Sequence, residues 1–521
     1  MTHRCLTPLL VAGLVACALA TPTHPLAAAP AARTVLDASL QQRARGATSG
    51  SVRVIIRVTA GAALPAALHP YMRGPRLALI DGYVLDMPER ALSMLDSLPD
   101  VESAHEDRPV WATDVISAET VGAVEVQRSG LSGEGVTVAV IDSGIATWHD
   151  DLTVEGPRPP TWGNQRVAAF VDLVQGWETP YDDEGHGSHV AGIIAGNGVD
   201  SAGRQVGIAP AASLVVLKVL DAQGQGSISQ VIAALDWVAT HGSRHHIRVV
   251  NLSVGAEVTG SAWTDPLALA ARRVTERGII VVAAAGNARP GPDGHAPRGS
   301  VLSPGDAPWV LTVGASNSAG TVTRADDRLA PWSAAGPTAG DTLAKPDLLA
   351  PGVAVLSLAA PGSALVLASP DRLVPGTVAT ATPPYLVLSG TSMAAPQVAG
   401  AVALMLEAAP TLTPNLVKAL LQYSAVPLPT TTIDQQGAGV LNVSGAVALA
   451  RETTRTSIVG VAADPAWSRS IIWGTRHVTG AGIETRAQAY SRQTVWGTGT
   501  SANIVWGLRT ADNIVWGLSE P

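Results

Sequence analysis

The chain has almost no cysteine. Cys5 and Cys17 are its two thiols, and both lie in the first 20 of 521 residues. If that stretch is removed, no disulfide and no thiolate metal site remains. Charge is also sparse: 15% of residues are charged against 46% hydrophobic, and the net charge of -8 comes without a basic patch. This argues against a nucleic-acid partner. Long apolar runs are missing beyond the N-terminus. The apolar stretches there are short and broken by glycine, so none is a membrane-helix candidate. Aromatic residues make up only 4%, and most are Trp. What is plentiful is small and branched apolar residue, enough for a large core in two or three units.

Residues 1–20 read as a secretion signal: His3 and Arg4, an apolar core from Leu6 to Ala16, then the small-residue box Ala18-Leu19-Ala20. Leu14-Val15-Ala16-Cys17 also resembles a lipoprotein box, which would leave Cys17 lipidated and the chain anchored at a membrane. The expected location is therefore secreted, with a lipid anchor as the alternative. Residues 21–50, rich in Ala, Pro, Thr and Arg, read as a linker. Residues 51–112 suggest a small α+β module, with strands at Val52–Val58 and Leu77–Leu85 and a helix from Pro88 to Leu98.

From Val136 the pattern changes. Near-continuous Val, Ile and Leu at Val136–Ile141, Leu214–Leu220, Arg248–Leu252, Ile279–Ala284 and Val310–Val313 predicts strands buried on both faces. Helices are predicted between them. One runs from Ile228 to Thr240 behind the cap Ser227, another from Pro266 to Arg277 behind Asp265. The fold class is α/β: a doubly wound, mostly parallel sheet with helices on both faces, over residues 113–450. Residues 451–521 form an irregular, repetitive tail, in which Ile472-Trp473-Gly474, Val495-Trp496-Gly497, Val505-Trp506-Gly507 and Val515-Trp516-Gly517 recur.

Four polar residues interrupt this apolar pattern at telling places. Asp142 closes the first strand, where a buried carboxylate needs donors such as a histidine. His186 sits in Gly185-His186-Gly187-Ser188-His189, with glycines that let backbone pack against the ring. The His-x-x-His spacing would also suit zinc, but no third ligand has suitable spacing. Ser392 lies in Ser389-Gly390-Thr391-Ser392-Met393-Ala394-Ala395-Pro396, at a predicted helix N-terminus, where free amides favour developing negative charge. Asn287 ends another strand in Ala284-Ala285-Gly286-Asn287 and offers an amide donor. Taken alone, Asp142 reads more often as a loop cap, His186 as a structural residue, Ser392 as an N-cap and Asn287 as a turn residue.

Together they resemble the subtilisin-like serine peptidases. The matching segments are Val138–Ile145, the His186 motif, Gly207–Pro210, Val250–Gly255, Ala284–Asn287, Lys345–Asp347 with Ala350–Gly352, and the Ser392 motif, in the order Asp, His, Ser. The resemblance covers about residues 120 to 450. It implies a secreted serine endopeptidase, with Ser392 as nucleophile, His186 as base and acid, Asp142 orienting the imidazole, and Asn287 in the oxyanion hole. It implies that Ser253, Val254 and Gly255 bind extended substrate opposite Ala284, Ala285 and Gly286. Those small walls suggest a preference for large uncharged residues before the cut. It implies a calcium ion at Asp151 and, by looser alignment, Asp200. It also implies that residues 51–112 are an inhibitor-like propeptide, removed by cleavage between about Val110 and Val124. Ser188 stands where Thr is commoner, and the Pro/Ala-rich stretch between Ser357 and Ser389 is longer than in compact members. A catalytically dead surface-binding protein on the same fold is the alternative function.

Overall fold

The computed structural model describes residues 34–36, 38–46, 50–77, 81–106, 115–154, 165–453, 464–480, 482–492, 494, 505–510 and 513–516. The expected signal segment, with Cys5 and Cys17, lies outside the described residues. The chain divides into two units, Met1–Val110 and Trp111–Pro521.

In the first unit, strands β1 (Ser51–Val58), β2 (Met72–Leu77), β3 (Gly82–Pro88) and β4 (Val101–Glu106) form an antiparallel sheet in the order β2-β3-β1-β4. The single strand expected over Leu77–Leu85 is in fact the two arms of a hairpin. Asp81 adopts φ 50°, and Leu77 pairs with Gly82 across the turn, so Asp81-Gly82 acts as turn chemistry inside an apolar run. The helix expected from Pro88 is a 3-10 helix, Glu89–Ser97. Leu92 and Leu95, three apart and fully buried, stack on one face of its three-residue turn. Part of the expected linker also joins this unit. Helix α1 (Ala38–Gly46) and the preceding Val35 and Leu36 bring apolar side chains into the same core, where Leu40 is fully buried.

The second unit is the α/β body, entered through the short helices α2 (Val115–Thr120) and α3 (Ala123–Arg128). Its sheet contains β5 (Thr137–Asp142), β6 (Val167–Asp172), β7 (Ser213–Lys218), β8 (Ile247–Leu252), β9 (Ile280–Ala284) and β10 (Leu311–Asn317), with β11 (Arg328–Leu329) and β12 (Leu348–Pro351) at one edge. The order is β11-β10-β9-β8-β5-β7-β6. All pairings are parallel except β10 with β11. Along β5 every residue is buried, and the alternation of side chains feeds two cores. Val138 and Val140 pack with α4 (His186–Ala195) on one face. Ala139 and Ile141 pack with α5 (Ile228–His241) and α6 (Pro266–Glu276) on the other. Ser227 and Asp265 cap α5 and α6 as the sequence predicts. The strand β5 lies between β7 and β8, where the winding reverses, so the carboxyl ends of β5, β8 and β9 share one crevice.

The long stretch before Ser392 holds β13 (Val355–Leu358), α7 (Ala364–Ala368), β14 (Leu373–Val374) and β15 (Tyr385–Leu388), three strands that pair with each other. The helix α8 (Thr391–Ala408) then runs buried through the body, followed by α9 (Pro414–Ser424), α10 (Ile433–Gln436) and α11 (Val443–Glu452). Among the described residues no helix is long and apolar enough to cross a membrane.

The described part of the tail forms paired strands. A hairpin, β16 (Ser470–Trp473) with β17 (Arg476–Thr479), is followed by β18 (Gly482–Ile483), which pairs with β19 (Val505–Thr510); β19 in turn pairs with β20 (Asn513–Trp516). Ile471, Ile483 and Tyr490 bury in the main core. Polar ties accompany them. Asn415 Nδ2 donates to the carbonyls of Ser491 and Thr494, both at 2.9 Å. The Ile472 amide donates to Gln422 Oε1 at 2.8 Å. Gln422 Nε2 in turn reaches Asp347, a buried carboxylate paired with Lys345 and Lys418. This first stretch of tail therefore behaves as the last layer of the body. Ile472, 1% exposed, should cost about 2–5 kcal/mol on substitution by Ala, read from urea unfolding of the whole chain. A change below about 0.5 kcal/mol, the size of an ordinary surface substitution, would show the tail to be a loose appendage.

Candidate active site

Asp142 ends β5 with its side chain fully buried. Its Oδ1 accepts the Nδ1–H of His186 at 2.7 Å and the Ser143 amide at 2.8 Å. A carboxylate only accepts, so this bond fixes the imidazole tautomer and leaves Nε2 free to accept. His186 itself is the first residue of α4, behind Gly185 at φ 107°, and its side chain is 19% exposed on a cleft of about 480 Å³.

One carboxylate missed by the sequence reading sets this geometry. Asp182 accepts from Ser143 Oγ, the Gly185 amide, the Ser188 amide and Ser188 Oγ, at 2.6–2.8 Å. Ser143 Oγ also accepts the Gly187 amide. The end of β5 and the start of α4 are thus clamped on one anion, with the α4 N-terminus favouring its charge. Ser188, where Thr is commoner, keeps the hydroxyl this clamp uses. Lys218, fully buried at the end of β7, braces the same loop. Its ammonium donates to Asp183 Oδ1, the Ser143 carbonyl and the Leu220 carbonyl at 2.6–2.7 Å. The signal for both was in plain view: the acidic run Asp182-Asp183-Glu184 before the His186 motif, and one Lys inside an apolar strand.

Ser392 occupies the first turn of α8, but it is not the cap. The N-cap is Gly390, with no side-chain capping bond. The Ser392 hydroxyl donates to the Ser253 carbonyl at 3.2 Å, and Ser253 Oγ donates back to the Ser392 carbonyl at 2.9 Å. No hydrogen bond links Ser392 to His186 among the described residues; catalytic contacts of this kind often tighten only with substrate. Asn287 Oδ1 accepts the Thr391 amide (2.9 Å) and the Thr391 hydroxyl (3.1 Å). Because the amide can only donate, the oxygen of Asn287 must face it, which turns Nδ2 outward as a free donor. Ser253, Val254 and Gly255 line the cleft with His186. Ala284, Ala285 and Gly286 are buried and are not among the residues lining that cleft, and the Gly286 amide donates to Thr391 Oγ1 at 3.1 Å.

His189, the second histidine of the motif, is fully buried, with Nε2 against the Val355 and Leu386 carbonyls. That bonding makes it a packed core residue and leaves no zinc pair. Asp151 and Asp200 do meet, together with His149. Asp151 already accepts the Asp200 amide and the Tyr385 hydroxyl, both at 2.7 Å, and Asp200 Oδ1 is buried without a partner among the described residues. One free carboxylate oxygen beside an imidazole is not the shell of six to eight oxygens that calcium takes.

Electrostatics favour a protonated imidazole. Burial pushes the His186 pKa down, but the Asp142 carboxylate, then Glu184 and Asp182, outweigh it and raise it to about 9. A base must be neutral to accept a proton, so activity should be lost as pH falls through that value. The rising limb of kcat/KM against pH is expected to have its midpoint well above 6.5, the ordinary imidazole value. A midpoint at or below 6.5 would show that the acidic surround does not govern His186.

A family model described as the subtilase family matches residues 133–453. The chain is 36% identical over 367 residues to the serine protease AprX of Bacillus subtilis (strain 168), covering 69% of this chain and 77% of that one. It is 33% identical over 326 residues to subtilisin DY of Bacillus licheniformis, covering 63% and 96%. It is 32% identical over 366 residues to subtilisin E of Bacillus subtilis (strain 168), covering 69% and 79%.

Proposed function

The chain belongs to the subtilase family of serine endopeptidases, and on that footing we propose that Asp142, His186, Ser392 and Asn287 carry out its peptide-bond hydrolysis. The observation that supports the assignment best is the 2.7 Å bond from His186 Nδ1 to the buried Asp142 carboxylate. When substrate enters, the Ser392 hydroxyl exchanges the Ser253 carbonyl for His186 Nε2 and attacks the scissile carbonyl carbon. Its proton passes to Nε2. The carbonyl oxygen becomes an oxyanion, held by Asn287 Nδ2 and the Ser392 amide, which has no intrahelical acceptor in the first turn of α8. The imidazolium then protonates the leaving amine, and an acyl-enzyme remains on Ser392. Water, deprotonated by His186, repeats the sequence in reverse and frees the acid.

Substrate would lie extended along Ser253–Gly255, with a large uncharged side chain preferred before the cut; a strict Arg or Lys requirement at that position would contradict this. Residues 1–20 would direct secretion, to be read as a mature N-terminus at or after Thr21. Residues 51–112 would serve as folding aid and inhibitor before removal. A chain lacking residues 21–112 is expected to yield little active enzyme, and normal yield would overturn that role.

Ser392→Ala should lower kcat by on the order of 10⁶, and Asn287→Ala by ~10²–10³ with KM little changed; both sizes are carried over from subtilisin. Steady-state hydrolysis of a peptide p-nitroanilide measures them. Near-normal turnover by Ser392→Ala would overturn the assignment and favour binding without catalysis.

A further inference from the structure

The long stretch between Ser357 and Ser389 takes no step in the catalytic cycle, yet it reaches both ends of α4, the helix that begins with His186. At the N-terminal end, the amides of Ala364 and Leu365 donate to the carbonyls of Asp183 and Glu184, both at 2.9 Å. The loop 197–205 leaves the C-terminal end. There the Val378 amide donates to the Asp200 carbonyl at 3.0 Å, and a side chain at Gly376 would collide with that same carbonyl. The stretch closes on this loop only because position 376 is glycine.

Beneath the loop lie His149, Asp151 and Asp200, where the family resemblance implies calcium. Among the described residues they are the one group of three or more His, Cys, Asp or Glu side chains close enough to share an ion. Most of their ligand atoms are already engaged. The Asp151 amide can only donate, so His149 Nδ1 accepts it at 3.1 Å, and Nε2–H donates to the Pro384 carbonyl at 2.9 Å. Neither ring nitrogen keeps a lone pair for a metal. Asp151 gives one oxygen to the Asp200 amide and the other to the hydroxyl of the buried Tyr385. Pro384 and Tyr385 both belong to the long stretch.

A positive charge is present all the same. The Arg166 guanidinium donates to the backbone carbonyls of Asp151, Ala195, Pro210 and Ala212. It stays charged at any working pH, and it stands among main-chain oxygens, a ligand class that calcium takes. It ties the last residue of α4 to Asp151, whose carbonyl also accepts the Asn197 amide at 2.8 Å.

We propose that the long stretch and Arg166 together take the place of a bound calcium, so that this chain's fold needs no divalent cation. Val378, Pro384 and Tyr385 hold the loop after α4, and the guanidinium supplies the cation. A metal ion would have to displace the Tyr385 hydroxyl or the Asp200 amide to gain an oxygen of Asp151. It would also meet a like charge on the Asp151 carbonyl.

Thermal unfolding tests this without reference to activity. The sample is the full chain, carrying Ser392→Ala against self-digestion. A cation bound only to the native state raises the midpoint with its concentration, so midpoints in excess EDTA and in millimolar calcium should agree within about 1 °C. Tyr385→Phe should lower the midpoint by about 2–6 °C in both buffers, the loss of one buried hydrogen bond to a carboxylate. It should also speed amide hydrogen exchange in the loop 197–205. The chelator comparison needs no change at Tyr385, so it decides even if Tyr385→Phe does not fold. A midpoint that falls by more than about 1 °C in EDTA would overturn the proposal. So would exchange in that loop left unchanged by Tyr385→Phe. The catalytic reading stands or falls separately, on turnover by Ser392→Ala.

Discussion

A carboxylate taken wholly out of water must be met by donors, and at Asp142 the donors are the ring of His186 and one backbone amide. Its second oxygen is buried without a partner among the described residues. That imbalance gives the charge its use. An imidazolium beside it is stabilised, so a proton taken from Ser392 has somewhere favourable to go. The same acidic surround makes a neutral imidazole harder to keep, and the enzyme's working range is set by the balance between the two.

The rest of the body can be understood as holding that pair still. Parallel strands deliver Asp142, Ser253 and Asn287 to neighbouring carboxyl ends at the reversal of the winding. Asp182 and Lys218, one anion and one cation, fasten the end of β5 and the loop that precedes α4. The helix α8 enters beneath with the Ser392 amide in its first turn, and Thr391 orients Asn287. Farther out, the α7 segment props the loop that carries Glu184, and the tail hairpin closes the core behind α9. Pieces that look like decoration along the chain are thus tied by hydrogen bonds into the body that presents the site.

Much of this was legible in the sequence, for physical reasons. Strands buried on both faces must be near-continuous Val, Ile and Leu, so β5, β7, β8 and β9 stand out, and Ser227 and Asp265 mark their helices. The residues at the site are legible because their neighbours are constrained too: glycines around His186, and Gly390 and Thr391 before Ser392. What stayed hidden depends on contacts between distant segments. Asp182 looks like one acid among three until folding brings Ser143 and Ser188 to it. Ala284, at the end of β9, and Ala285, just beyond it, are buried, which the sequence alone does not show. Leu77–Leu85 looked like one strand, yet Leu77 pairs with Gly82 and Asp81 takes a left-handed φ. The linker reading failed at Leu36 and Leu40, where too few apolar residues gave no clear period.

Asp142 and His186 together make Ser392, and no other serine, a nucleophile. A fluorophosphonate probe with peptide mapping by mass spectrometry tests this directly. One adduct per chain, on the peptide holding Ser392 and lost in Asp142→Asn, is expected. An adduct on a different serine, or no adduct in a folded chain, would contradict it.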